Sequence, residues 1–409
     1  MHSFDFNDGY GPNAPLVEAR SGNFYGTTLG GGANGKGTFF KITPTGKLTT
    51  IYNFENSGDS SLGLVQGTDG NFYGTTLYGG TSSACGTGSC GTVFEISPEG
   101  KLTTLHSFRG ADGSYPHAGL VQGTDGNFYG TTLYGGASSA CGTSGCGTVF
   151  KITPAGQLTT LHSFDFIDGS EPNAPLVETG TGNFYGTTLG GGANGNCTPY
   201  TGCGTVFEMT PAGKLTTFYS FESTGLYDDN VLSYYAVAGL VQATDGNFYG
   251  TSYDGGSSSE CFPDGCGTVF KISPEGKLTT LHSFGSADGS YPLDGLVQGT
   301  DGNFYGTTWA GGVYGTVFSI SEGLRPFVKT NPTSGKVGTR VTILGNDLAG
   351  ATSVTFNGTT ARFKASNTYI TTTVPTGATT GTVEVVTRKK TLKSNVPFRV
   401  PKCVVGYSE

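Results

Sequence analysis

The hexapeptide Gly-Asn-Phe-Tyr-Gly-Thr occurs six times, starting at Gly22, Gly70, Gly126, Gly182, Gly246 and Gly302, at successive spacings of 48, 56, 56, 64 and 56 residues. A unit of this length buries its apolar face only against neighbouring copies of itself. The chain is thereby restricted to a propeller, a solenoid or a linear array. A residue repeated six times is scaffold first, so the informative positions are those where the repeats disagree.

The third repeat shows what one unit is. Ala118–Thr124 is a short apolar run that ends in Asp125-Gly126, a tight-turn pair, and Asn127–Leu133 follows it. After a Gly-Gly and cysteine loop come Gly147–Thr153, then the turn Pro154-Ala155-Gly156, then Gln157–Phe164. These runs are β-branched and aromatic, and none has helical spacing, so each repeat predicts four short antiparallel strands. The 71 glycines, 21 tyrosines and 27 phenylalanines of the 409 residues fit many strands and tight turns rather than disorder. Four-stranded sheets repeated radially make a β-propeller.

The sixth repeat carries three strands (Asp294–Thr300, Asn303–Trp309, Gly315–Ser321), and the N-terminus begins with a remnant of the fourth, His2-Ser3-Phe4. The expectation is a six-bladed propeller over residues 1–322, closed by the N-terminal strand, which would remove an exposed sheet edge. Repeats 1 and 4 share Pro-Asn-Ala-Pro-Leu-Val-Glu, and repeats 3 and 6 share Ala-Asp-Gly-Ser-Tyr-Pro, so the ring reads as a duplicated three-blade unit. Residues 325–400 form a second domain of short alternating strands with frequent turns, as an immunoglobulin-like β-sandwich requires. Residues 401–409 are a tail. The class is all-β.

Two resemblances follow from these motifs. Gly-Leu-Val-Gln-Gly-Thr-Asp-Gly-Asn-Phe-Tyr-Gly-Thr and Gly-Thr-Val-Phe-Lys-Ile-Thr-Pro resemble the choice-of-anchor GloVer tandem-repeat family of exported bacterial proteins, over about residues 1–322. Asn331-Pro332-Thr333-Ser334-Gly335, Gly338–Gly345, Val354–Gly358 and Val374-Pro375 resemble an IPT/TIG domain. The first resemblance implies export and surface or matrix placement. It carries no catalytic residues.

Eight cysteines form four close pairs at one place in the repeat: Cys85/Cys90, Cys141/Cys146, Cys197/Cys203 and Cys261/Cys266. One local disulfide per loop is expected, and with it an oxidising, extracellular compartment. Zinc is the weaker reading, because each loop offers two thiolates and no histidine. Cys403 is left over in the tail and is a candidate for self-association. The net charge of −8 excludes nucleic acid and anionic membrane surfaces as partners, and no apolar run reaches a membrane span. The chain starts inside a repeat, so a signal peptide is expected to have been removed or not included.

In a propeller the loops between the second and third strands share a face with the connections between blades. Here these are the long, variable loops, so one rim is elaborated. The largest departure, Glu222–Val237, brings Tyr227, Asp228, Asp229, Tyr234 and Tyr235 to that face; Tyr200, Tyr253, Asp254, Trp309 and Tyr314 add to it. Rings beside carboxylates and amides suit sugars, though packing of the long loop explains any single tyrosine. On the innermost strand, Glu18 and Glu178 replace the glutamine of the other four repeats and would oppose each other across the axis.

Other patterns carry less. Asp8, Asp112, Asp168 and Asp288 in Asp-Gly-x-x-Pro read as turn chemistry, with calcium binding as the minority reading. His2, His106, His162 and His282 recur with the scaffold, and His117 is unique. No metal site or cofactor is called. The leading functional reading is a surface or matrix protein that binds polysaccharide or cell-surface glycan. One alternative is a secreted glycoside hydrolase or polysaccharide lyase using Asp228, Asp229, Asp254, Glu18 or Glu178. The other is a self-assembling structural protein. Whether the chain is an enzyme stays open, with the reading leaning against it.

Overall fold

The computed structural model describes residues 2–12, 14–19, 21–55, 61–86, 89–193, 202–221, 238–261, 265–311 and 314–401. Its secondary structure is almost entirely antiparallel β. Each of the first five repeats is one four-stranded sheet with its strands side by side in sequence order. In the third they are Val121–Gln122, Phe128–Thr132, Thr148–Ile152 and Leu158–Ser163. The innermost strand is only two residues long, shorter than its apolar run, because Gly119 and the turn at Gly123 bound it.

The second strand is buried on both faces. Its glycine is obligatory: a Cβ on Gly130 would lie 2.7 Å from the Phe150 ring and 2.8 Å from Leu120. Phenylalanine and tyrosine occupy successive positions and so point to opposite faces. In the first four repeats the tyrosine then meets the phenylalanine of the next sheet, with ring centroids 4.4 Å apart for Tyr25–Phe72, 4.0 Å for Tyr73–Phe128, 4.0 Å for Tyr129–Phe184 and 4.2 Å for Tyr185–Phe248. Each pair adds about 0.5–1.5 kcal/mol beyond its burial. The Phe-Tyr dipeptide thus stacks one sheet on the next.

The sixth repeat departs from the expectation. Its sheet has three strands, Val297–Gln298, Phe304–Thr308 and Thr316–Ile320, and the N-terminal segment is not among them. His2, Ser3 and Phe4 match only the end of the missing strand. The pairs made elsewhere by its leucine and threonines, such as Ile152↔Leu158 and Lys151↔Thr159, have no counterpart. The segment keeps its corner instead: Phe4 lies edge-on to Phe40 at 5.2 Å, as Phe108 does to Phe150 at 5.2 Å. Val317 is 81% exposed, whereas Val93, Val149, Val206 and Val269 are 0% exposed.

The C-terminal region is a β-sandwich. One sheet orders Lys329–Asn331, Arg340–Leu344, Tyr369–Thr373 and Phe363–Ala365, and the other Thr359–Thr360, Ala351–Phe356, Val383–Thr387 and Thr391–Lys393. Val341, Ile343 and Ile370 from the first share one core with Val354, Phe356, Val383 and Val385 from the second. The chain falls into two compact units, the first holding sheets one to five. The second gathers Ala243–Asn247, Val297–Gly306 and the chain from Phe318. Within that second unit, Phe327 N–H donates to Thr300 O at 3.0 Å and Lys329 Nζ to Gln298 O at 2.6 Å. Burial there pushes the Lys329 ammonium below its ordinary value.

Candidate functional site

The repeated polar residues are occupied by the scaffold. In the Asp-Gly-Asn-Phe-Tyr turn, Asp125 Oδ1 accepts from Asn127 N at 3.0 Å, and Oδ2 accepts from Asn127 Nδ2 at 2.7 Å and the Tyr129 hydroxyl at 2.8 Å. Repeats two and six do the same with Asp69 and Asp301. In repeat four Thr181 stands in place of this aspartate, and Glu208 takes over, accepting from Asn183 at 2.7 Å and Tyr185 at 2.9 Å.

At the junctions between repeats, histidine and aspartate close a clamp. The Nε2–Oδ2 distances are 2.7 Å for His2–Asp8, 2.8 Å for His106–Asp112, 2.6 Å for His162–Asp168 and 2.7 Å for His282–Asp288. The other carboxylate oxygen accepts a backbone N–H, as Asp112 does from Arg109 at 2.7 Å. Burial alone would raise the Asp112 carboxyl, but the His106 and Arg109 hydrogen bonds hold it below its ordinary value. These side chains are turn and junction pieces, as their recurrence predicts.

A cavity of about 850 Å³ opens where the loops of the second and third sheets meet the connection between them. Tyr115 lines it, edge-to-face with Tyr78 at 5.6 Å and with Tyr134 at 6.0 Å. Its backbone is left-handed, with φ 54°. That conformation costs a bulky residue about 1–2 kcal/mol and calls for surroundings that impose it. Those surroundings are visible: Tyr115 N–H donates to Cys90 O at 2.9 Å, Leu133 N–H donates to Tyr115 O at 3.0 Å, and the hydroxyl donates to Cys85 O at 3.2 Å. Glu171 and Tyr291 hold the same place at later junctions with φ 57° and 60°, and Gly11 holds it in the first with φ 65°.

Two disulfides pin the cavity's walls. Cys85–Cys90 and Cys141–Cys146 each close a short loop, and Cys261–Cys266 does so in repeat five. The fourth expected pair, Cys197/Cys203, is described at one end only. Cys203 is buried at 2% exposure, in the core position that Cys90, Cys146 and Cys266 hold in their repeats, and its sulfur is disulfide-bonded. Cys197, the partner expected for Cys203, falls outside the described residues, so the pairing itself stays an expectation.

Cys85 and the residues Gly142–Gly145 line the cavity. His117 also lines it. Burial pushes the His117 imidazole below its ordinary value, more than the Asn173 amide beside it raises it. At the next junction burial raises the Glu171 carboxyl, which no described residue bonds.

The residues singled out from sequence divide between described and undescribed positions. Tyr200, Tyr227, Asp228, Asp229, Tyr234, Tyr235 and Cys403, like Cys197, fall outside the described residues. Tyr253 is stacked on Tyr291 at 4.8 Å, and Asp254 is buried at 4% exposure. Trp309 and Tyr314 are exposed at 65% and 96%. Glu18 is exposed, while Glu178 accepts from Thr124 N at 2.7 Å, tying its sheet to the one before it just as Gln122 accepts from Thr68 N at 3.0 Å. Of the described ones, Glu18, Glu178, Tyr253, Asp254, Trp309 and Tyr314 do not line the cavity. Tyr78, Tyr115, Tyr134 and His117 do. The signal for Tyr115 was its alignment with Gly11, which marks a backbone position requiring positive φ.

Among the described residues no group of three or more His, Cys, Asp or Glu is placed to hold a metal ion, and no helix is long and apolar enough to cross a membrane. Among solved structures the chain is similar to virginiamycin B lyase from Staphylococcus aureus, at 12% identity and TM-score 0.50, over 89% of this chain and 94% of that one. It is also similar to a protein from Lactobacillus plantarum at 14% identity and TM-score 0.45, over 89% and 85% of the two chains. The likeness to the lyase is one of fold, and with the serial sheets it places the repeats among propeller-like architectures. Among curated proteins no relative matches the sequence. The Gloeobacter/Verrucomicrobia repeat matches at residues 1–143, 80–259 and 138–383, reaching beyond the six hexapeptides into the sandwich. Three overlapping matches that together run through most of the chain place it in one family: this protein belongs to the Gloeobacter/Verrucomicrobia repeat family.

Proposed function

We propose that this chain is an exported surface or matrix protein that binds glycans through the disulfide-pinned loop face of a six-bladed propeller. Its C-terminal sandwich serves as an IPT/TIG-type immunoglobulin-like module. The observation that carries the reading is the cavity at the second junction, whose tyrosine rings are held by backbone hydrogen bonds and disulfides. Rigid aromatic faces surrounded by hydroxyls suit sugar rings, and a volume of about 850 Å³ lies within the usual range for ligand pockets. Three local disulfides support an oxidising compartment.

The test is affinity electrophoresis of the full chain through gels containing a polysaccharide panel. Retardation that Tyr134→Ala abolishes supports the reading, and no retardation across the panel overturns it. Glu171 favours a second reading, a carbohydrate-active hydrolase or lyase. A carboxyl raised by burial and unbonded by described residues is suited to donate a proton. Assaying the same gels for reducing or unsaturated ends decides between the two. Products that Glu171→Gln eliminates would make the chain an enzyme.

A further inference from the structure

We infer that the cavity between the second and third sheets selects uncharged, hydroxyl-rich oligosaccharides and rejects uronate, sulfated and amino sugars. This rests on the glycan-binding reading and narrows it. The observation is the composition of the walls: among the described residues that line it there is no Asp, Glu, Lys or Arg. Arg109 is next to the lining residue Gly110 but is exposed and outside it, and the nearby Asp112 carboxylate is committed to His106. A charged sugar entering such a cavity sheds water without gaining a counter-charge, which disfavours its entry. The net charge of −8 adds a general repulsion of anions.

What the walls do offer matches neutral sugars. Ser114, Ser138, Ser139 and Thr143 bring hydroxyls, and the glycine-rich stretches let backbone N–H and C=O groups approach. Tyr78, Tyr115 and Tyr134 bring ring faces and edges for the C–H surface of a pyranose. His117, the ring that could add charge, is shifted by burial toward its neutral form.

Isothermal titration calorimetry with the full chain tests this, using neutral gluco-, manno- and xylo-oligosaccharides against oligogalacturonate and chitosan oligomers, at low and high salt. The expected result is binding of a neutral oligosaccharide with an affinity that salt changes less than about twofold. Tyr115→Gly should lower that affinity about tenfold or more, while relief of the left-handed strain, at a position Gly11 already occupies, offsets part of the lost ring contacts so that the fold is kept. Binding restricted to charged oligomers, steeply weakened by salt and indifferent to Tyr115→Gly, overturns the inference and leaves glycan binding standing. Binding of neither class overturns both.

Discussion

The hexapeptide that repeats six times is a hydrogen-bonding device whose cost of removal depends on where it sits. Tyr129 is 0% exposed and its hydroxyl donates to the partly buried Asp125 carboxylate. Burial, then that hydrogen bond, push the Tyr129 phenol above its ordinary value. Tyr129→Phe should therefore cost about 2 kcal/mol, the range for a hydrogen bond to a charged group. Tyr305 makes the same bond to Asp301 but is 40% exposed, so water replaces its partner. Tyr305→Phe should leave the denaturation midpoint unchanged. Equal losses in the two variants, read by chemical denaturation, would show that the network and not its burial sets the energy.

At the scale of elements, the same sequence meets different surroundings. Gly-Thr-Val-Phe opens the third strand in repeats two to six, yet its valine is buried in repeats two to five and 81% exposed at Val317. Val149→Lys should unfold its sheet, at a cost of about 4 kcal/mol or more, because a lysine there has neither water nor a counter-charge. Val317→Lys should stay within about 0.5 kcal/mol of the parent. If thermal melts show both equally damaged, a fourth strand covers Val317 in solution. Sheet number and strand order were legible in the sequence because turn chemistry is local: Asp-Gly, Pro-x-Gly and the alternating apolar runs each act within a few residues. The missing fourth strand of repeat six was not, because pairing depends on how many residues of His2–Phe4's strand are there to pair. Nor was the cavity. Its rings come from three loops far apart in sequence, and its residues recur in other repeats, so the rule that repeated residues are scaffold hid them. Tyr115 and Tyr134 are scaffold in chemistry and cavity wall in position.

For the whole molecule, the junction clamps make stability respond to acid as a set. The carboxyls of Asp112, Asp168 and Asp288 all lie below the ordinary 3.8; burial opposes the shift, and histidine and backbone hydrogen bonds outweigh it. A depressed folded value means the contribution is complete above the unfolded value and is lost as pH falls through the folded one. The molecule should therefore keep its melting temperature from neutrality down to about pH 4 and lose it steeply below. Asp288 should contribute least, since its side chain is 51% exposed against 25% for Asp112 and 20% for Asp168. Calorimetry of the parent and of an Asp112→Asn, Asp168→Asn double variant separates these clamps from general acid repulsion. The variant should be less stable at neutral pH and lose less on acidification, so the two curves converge. Parallel curves down to about pH 2 would mean the clamps are spectators and that acid acts through net charge alone. Convergence would show that the recurring His-Asp pair, and not the disulfides that survive acid, holds one repeat to the next.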